Sequence, residues 1–79
     1  MKLKVLEYFI ALAESKSINE AAQKLYIAQP TVSQVIAEIE NEYGIRLFER
    51  LSRRLYITRE GRQLLDYARH ITALFEEME

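Results

Sequence analysis

Two groups of side chains in this 79-residue chain could do chemistry, and neither kind makes or breaks a covalent bond. The first is Gln29, Thr31, Ser33 and Gln34, short amides and hydroxyls gathered at the start of a predicted helix from Ala28 to Tyr43. The N-terminus of a helix turns partial positive charge and free N–H groups outward, so side chains of this type are suited to meeting phosphate and to reading base edges in a major groove. The second group is Arg46, Arg50, Arg53, Arg54, Arg59 and Arg62, set against only Glu49 and Glu60, which gives +4 within residues 46–62. A concentrated positive charge is what a polyanion requires, although the same cluster is also found on plain solvated loops. The chain as a whole has a net charge of -1, so the case for nucleic acid rests on where the charge lies.

Catalysis has little to work with. The single histidine, His70, falls on the outer side of the last predicted helix, Ser33 has no neighbouring base, and there is no cysteine, metal-ligand cluster or Gly-rich phosphate loop. The sequence therefore reads as a non-enzyme that needs no cofactor or metal, with His70 facing solvent or a dimer edge.

The elements that must position these groups follow from periodicity and caps. Leu6, Phe9, Ile10 and Ala13, with Val5 and Leu12, recur at helical spacing and predict a scaffold helix from Leu3 to about Ser15. Ser17-Ile18-Asn19-Glu20 is a capping box, Ser17 accepting from the Glu20 N–H and the Glu20 carboxylate returning to the Ser17 N–H, so a second helix starts at Ile18 and runs to about Tyr26. Ala21 and Ala22 on its inner side allow another helix to approach closely, and Ile27 is the expected plug in a sharp turn. In the helix that follows, Pro30 suits the first turn, Val32, Ile36, Ile39 and Tyr43 form the core stripe, and Gly44 takes the left-handed cap. Beyond it, apolar runs around Leu47-Phe48 and Leu55-Tyr56-Ile57 flank Ser52-Arg53-Arg54, which predicts two short strands with a basic tip.

Thr58 then caps a helix to the chain end, with an apolar stripe of Leu64, Ala68, Ile71, Phe75 and Met78 widened by Leu65 and Leu74. A helix of about 20 residues, roughly 30 Å long, outruns so small a domain. Its distal apolar residues predict pairing with a second copy.

Composition agrees with a small soluble helical domain: 49% hydrophobic, 29% charged, two Gly and one Pro. The absence of cysteine points to a reducing cytoplasm, and no apolar run approaches the roughly 18 residues of a membrane span. The leading Met1-Lys2 passes straight into an amphipathic pattern, which does not suit a signal peptide.

In this order, the elements resemble the N-terminal DNA-binding domain of LysR-type bacterial transcriptional regulators, from Leu3 through Glu79. The resemblance rests on Phe9; on Ser17, Ala21-Ala22 and Leu25; on Gln29-Pro30-Thr31-Val32-Ser33; on Ile39-Glu40 and Gly44; and on Leu47-Phe48-Glu49-Arg50, Arg53 or Arg54, Ile57-Thr58 and Gly61. It implies a mainly α winged helix-turn-helix, with a three-helix core and a short two-stranded wing, over residues 1–58. The helix-turn-helix would occupy 18–37 and the wing 46–57, with a linker and dimerisation helix over 59–79. By position, Gln29, Pro30, Thr31, Ser33 and Gln34 would face the major groove of promoter DNA. Arg53 or Arg54 would reach the minor groove, and Ser17, Asn19 and Arg50 would lie near phosphates. Leu64, Ala68, Ile71, Leu74, Phe75 and Met78 would form the homodimer, with a tetramer open to the full-length protein. Full-length family members carry a C-terminal domain for a small-molecule effector. That domain is absent here, so this sequence is expected to be either a piece of a longer protein or a shortened family member.

Three positions depart from the family pattern. Gln34 and Ala37 stand where basic residues are common, and Val35 stands where a polar one is. With no cation in the third helix, non-specific DNA binding is expected to be weaker than usual for the family, with a shallower salt dependence. The alternative reading is a winged helix that binds protein and ignores DNA.

Overall fold

The computed structural model describes residues 2–79. In chain order it contains α1 (Leu3–Ala13), α2 (Ile18–Leu25), α3 (Gln29–Tyr43), β1 (Phe48–Leu51), β2 (Arg54–Ile57) and α4 (Arg59–Met78). α1 packs against α4 and α2, α2 against α3, and the β1–β2 hairpin closes the side between α1 and α4. The core is Leu6, Phe9 and Leu12 of α1, Ala21 and Ala22 of α2, Val32, Ile36 and Ile39 of α3, Leu47, Phe48 and Leu55 around the hairpin, and Leu65 and Ala68 of α4. At its centre the rings of Phe9 and Phe48 lie 5.6 Å apart at 59°, a tilted aromatic pair that joins scaffold to wing.

Several ends differ from the sequence expectation by a residue or two. α1 stops at Ala13: the buried Ser15 turns its N–H to the Leu12 carbonyl at 3.1 Å, and its hydroxyl takes the Ala11 carbonyl at 2.7 Å that a continuing helix would have given to the Ser15 N–H. At the start of α2, Ser17 accepts from the Glu20 N–H at 3.0 Å as expected, but the Glu20 carboxylate reaches the N–H of Lys16 at 3.3 Å, one residue before the expected partner. That hydrogen bond, reinforced by Lys24, holds the Glu20 carboxyl below its ordinary range. Its contribution to stability is therefore complete above the usual carboxylate pKa and fades as pH falls through the lowered value.

α2 ends at Leu25, one residue short, with Tyr26 at φ 58° and ψ 42°. The Ile27 N–H bonds the Ala22 carbonyl at 3.1 Å and the Tyr26 N–H bonds the Gln23 carbonyl at 3.3 Å, the two hydrogen bonds of a Schellman motif. This motif turns Ile27 inward as the expected plug. It also places a tyrosine where glycine is the usual occupant, at a strain of about 1 kcal/mol.

Tyr43, expected in the core stripe of α3, is 43% exposed and lines an open apolar groove with Leu3, Leu6 and Leu64. Gly44 closes α3 at φ 67°. One turn earlier, the Glu40 carboxylate accepts from the N–H groups of Leu47 and Phe48 at 2.7 and 3.2 Å, both on Oε2. This fixes where β1 begins. Replacing Glu40 by Ala leaves two N–H donors of buried residues unpaired and is expected to cost about 2 kcal/mol. Glu40→Gln, which keeps an acceptor oxygen, should lose less than half of that in urea unfolding.

The hairpin pairs Phe48 with Ile57 and Leu51 with Arg54. Its two-residue tip, Ser52-Arg53, has φ of 51° and 68°, the left-handed pair of a type I′ turn, here built without Asn or Gly. Next to it the Leu55 N–H bonds the Lys16 carbonyl at 2.9 Å, and Ser17 forms a bridge with Arg54. β2 is thereby fastened to the segment that leads into α2, and the wing cannot swing freely of the helix-turn-helix. Thr58 starts α4, accepting from the Gly61 N–H at 3.0 Å and donating to the Arg46 carbonyl at 2.7 Å.

Ala68 is 0% exposed and Leu65 is buried, so both belong to the chain's own core. Of the residues expected along the dimer face, Ala68 is the one enclosed in this core. Ile71, Leu74, Phe75 and Met78 are exposed, Ile71 and Phe75 along a groove shared with Leu3 and Leu6 of α1, and Leu64 is half-buried.

Candidate nucleic-acid interface

The fastening of β2 to the start of α2 carries the wing tip over the first turn of α3. The result is an open cleft of about 790 Å³ lined by Ser17, Ile18, Asn19, Gln29, Pro30, Ser33 and Arg53. Six of these seven are residues singled out from the sequence, drawn from three different elements. The turn entering α2 and the start of α3 line it together with Arg53 of the wing tip.

Its chemistry is cationic at one lip and hydrogen-bonding on the floor. The Gln29 amide donates to the Asn19 side-chain oxygen at 3.0 Å, linking α3 to α2 and setting both amides in place. Arg50 donates through Nη1 to the Ser33 hydroxyl at 3.1 Å, tying β1 to α3 while its remaining guanidinium donors stay exposed. α3 has Ala28 at its N-cap and so no side-chain cap, whereas Ser17 and Thr58 cap α2 and α4. A helix start without a competing side-chain acceptor keeps its dipole turned toward an incoming anion.

Pro30 and Gln34 are exposed and Thr31 and Ser33 half-exposed, all on the first turns of α3. Val35, unlike a polar residue at that site, packs against the core. Of the two arginines left as alternatives for the wing, Arg53 lines the cleft and Arg54 does not, since Arg54 lies within the β2 ladder and bridges Ser17. The acids of α3, Glu38, Glu40 and Glu42, come late in the helix, and the Glu40 carboxylate is taken up by the β1 backbone.

Three features of this surface were not foreseen from the sequence: the Asn19–Gln29 pair, the Arg50–Ser33 pair and the Glu40 clamp. Each joins residues from different elements, so no local pattern announces it. Tyr26, 95% exposed and three residues before Gln29, was also passed over. An aromatic residue directly before a short turn was the available signal.

Among the described residues no cluster of three His, Cys, Asp or Glu side chains could hold a metal, and no helix is long and apolar enough to cross a membrane. His70 is exposed on α4, its Nδ1 3.3 Å from the Asp66 carbonyl oxygen.

Comparison with known proteins places these features in a family. Residues 3–62 match the family described as bacterial regulatory helix-turn-helix protein, lysR family. The chain is 46% identical over 76 residues to the uncharacterized HTH-type transcriptional regulator YxjO of Bacillus subtilis (strain 168), a match covering 96% of this chain and 26% of that protein. It thus spans about a quarter of that relative's length. Among solved structures, the BenM DNA-binding domain in complex with benA site 1 DNA superposes with a TM-score of 0.89 at 42% identity, covering 99% of this chain and 91% of that one. The CbnR DNA-binding domain in complex with DNA does so with a TM-score of 0.90 at 33% identity, covering 99% and 90%.

Proposed function

This chain belongs to the LysR family of bacterial regulatory helix-turn-helix proteins, and from that premise we propose that it is the sequence-specific, double-stranded-DNA-binding part of a transcriptional regulator acting in the cytoplasm as a homodimer. Residues 1–58 form the winged helix-turn-helix and 59–79 the linker helix. The supporting observation is the cleft in which Arg53 overhangs Ser17, Asn19, Gln29, Pro30 and Ser33. One end of α3 offers hydrogen-bonding side chains to base edges, and a cation beside it is poised for the minor groove.

In this reading Gln29, Pro30, Thr31, Ser33 and Gln34 enter the major groove and Arg53 enters the adjacent minor groove. Ser17, Asn19 and Arg50 hold backbone phosphates, Arg50 exchanging its Ser33 partner for phosphate. Arg54 takes part through the β2 backbone and through charge. Two copies, paired along α4, each read one half of an interrupted palindrome. The effector belongs to a further domain of the full-length protein.

The test is a titration against a duplex carrying the DNA upstream of the protein's own gene and against its scrambled counterpart, at about 0.15 M salt. A preference of roughly 10³-fold or more is expected. Failure to bind either duplex at any salt concentration would leave the winged helix as a protein-binding module.

Two substitutions separate reading from gripping. Gln34→Ala is expected to cost about 1–3 kcal/mol on the preferred duplex and to relax the preference at one base pair. Arg53→Ala is expected to weaken every duplex, A·T-flanked sites most, and to make the salt slope shallower by about 0.9. If Gln34→Ala weakens all sequences equally, that side chain does not read a base.

A further inference from the structure

Tyr26 is an anomaly that the cleft leaves unexplained. It holds the left-handed Schellman position at φ 58°, where a side chain is a liability, and its ring is 95% exposed, so it stabilises no core. Strain maintained without packing points outward, toward something the side chain meets.

Its surroundings indicate what that is. A shallow depression of about 480 Å³ holds Gln23, Tyr26 and Ala28 and shares Asn19 and Gln29 with the Arg53 cleft. The hydrogen-bonded Asn19–Gln29 pair, at 3.0 Å, is therefore a ridge with Arg53 on one side and Tyr26 on the other. A duplex seated on the start of α3 would run its backbone across both depressions. The tyrosine hydroxyl is a neutral donor of the kind that holds phosphate oxygens at such edges.

Resting on the DNA-binding reading above, we propose that Tyr26 is a backbone contact, its phenolic hydroxyl donating to a phosphate on the side of the Asn19–Gln29 ridge away from the wing. Arg53 and Tyr26 then grip the duplex from the two sides of that ridge, one by charge and one by a neutral hydrogen bond. Because a phosphate carries no base identity, the contact fixes register and does not choose sequence.

The experiment compares Tyr26→Phe and Tyr26→Gly with the unaltered 79-residue chain. Each is titrated against the upstream duplex and its scrambled counterpart over a salt series, with thermal unfolding of each protein in parallel. Tyr26→Phe is expected to lose about 3- to 10-fold in affinity for both duplexes, the range of one net hydrogen bond. Its salt slope and Tm should not change, because no charge and no packing is removed. Tyr26→Gly should raise the Tm by relieving the left-handed strain and yet bind at least as weakly as Tyr26→Phe, a combination that a purely structural role does not produce. If the unaltered chain binds its duplex and both variants match it, the proposal is overturned while the DNA-binding function stands. If the unaltered chain binds no duplex at any salt concentration, the function fails, and the phosphate contact with it.

Discussion

Replacing Phe75 by Asp is expected to turn a dimer into a monomer in sedimentation velocity and to weaken binding to a two-half-site duplex by about 10²-fold or more. The physical basis is the distal half of α4, where Ile71, Leu74, Phe75 and Met78 are exposed to between 41% and 81%. Ile71 and Phe75 also line an apolar groove with Leu3, Leu6, Leu64 and Tyr43, formed where the start of α1 and the length of α4 from Leu64 to Phe75 meet the end of α3. A second α4 laid along this surface would cover residues that one domain of this size leaves in water. An aspartate at its centre would be desolvated without a partner.

The DNA effect follows from linkage. In a dimer, once one recognition helix is seated, the other searches its half-site at an effective concentration in the millimolar range, and a monomer loses this advantage entirely. Binding to a duplex with a single half-site should change little, since Phe75 lies far along α4 from the cleft. An unchanged sedimentation coefficient for Phe75→Asp would remove α4 as the dimer interface. A monomer that still binds the two-half-site duplex at full strength would separate DNA binding from pairing.

Gly61→Ala is expected to destabilise the domain by about 2–3 kcal/mol, a fall in Tm of roughly 10–20 °C for a chain of this size. A glycine to alanine change inside a helix ordinarily gains about 1 kcal/mol. Here the sign is reversed by contact: a Cβ at position 61 would collide with the Leu47 carbonyl oxygen and come within 2.7 Å of Ile57 Cγ1. The carbonyl cannot retreat, because it also accepts from the Thr58 N–H at 2.9 Å in the joint between wing and linker helix. With a total stability of only about 4–12 kcal/mol expected for such a domain, the loss would be plain in thermal unfolding followed by circular dichroism. A Tm within about 2 °C of the unaltered protein would show that α4 does not start this close to β1.

The helices, their caps and the wing were legible because each is signalled within a few residues. Ser17 and Thr58 as caps, Pro30 in a first turn, Gly44 at a helix end and the Arg-bearing tip are short-range devices, and all six elements formed where those devices lie. The misplacements came where a short-range rule met a longer contact. Ala68 follows the α4 stripe as faithfully as Phe75, yet Ala68 is 0% exposed, while Phe75, along a groove with Leu3 and Leu6, is 41% exposed. Tyr43 keeps the stripe of α3, but α1 and α4 leave an open groove beside it.

The sequence by itself thus determined which segments are helix, which residues begin and end them, and which side chains are chemically able to meet DNA. Periodicity and capping are local physics that the chain carries in its order. Only the tertiary structure decided that Arg53 and not Arg54 overhangs α3, and that Arg50 reaches Ser33 while Glu40 fixes the start of β1. It likewise left Tyr26 strained and bare beside the Asn19–Gln29 pair. Those outcomes depend on how the hairpin is fastened to the segment before α2 and on how far each helix extends past its neighbour, distances set by packing between residues far apart in the chain.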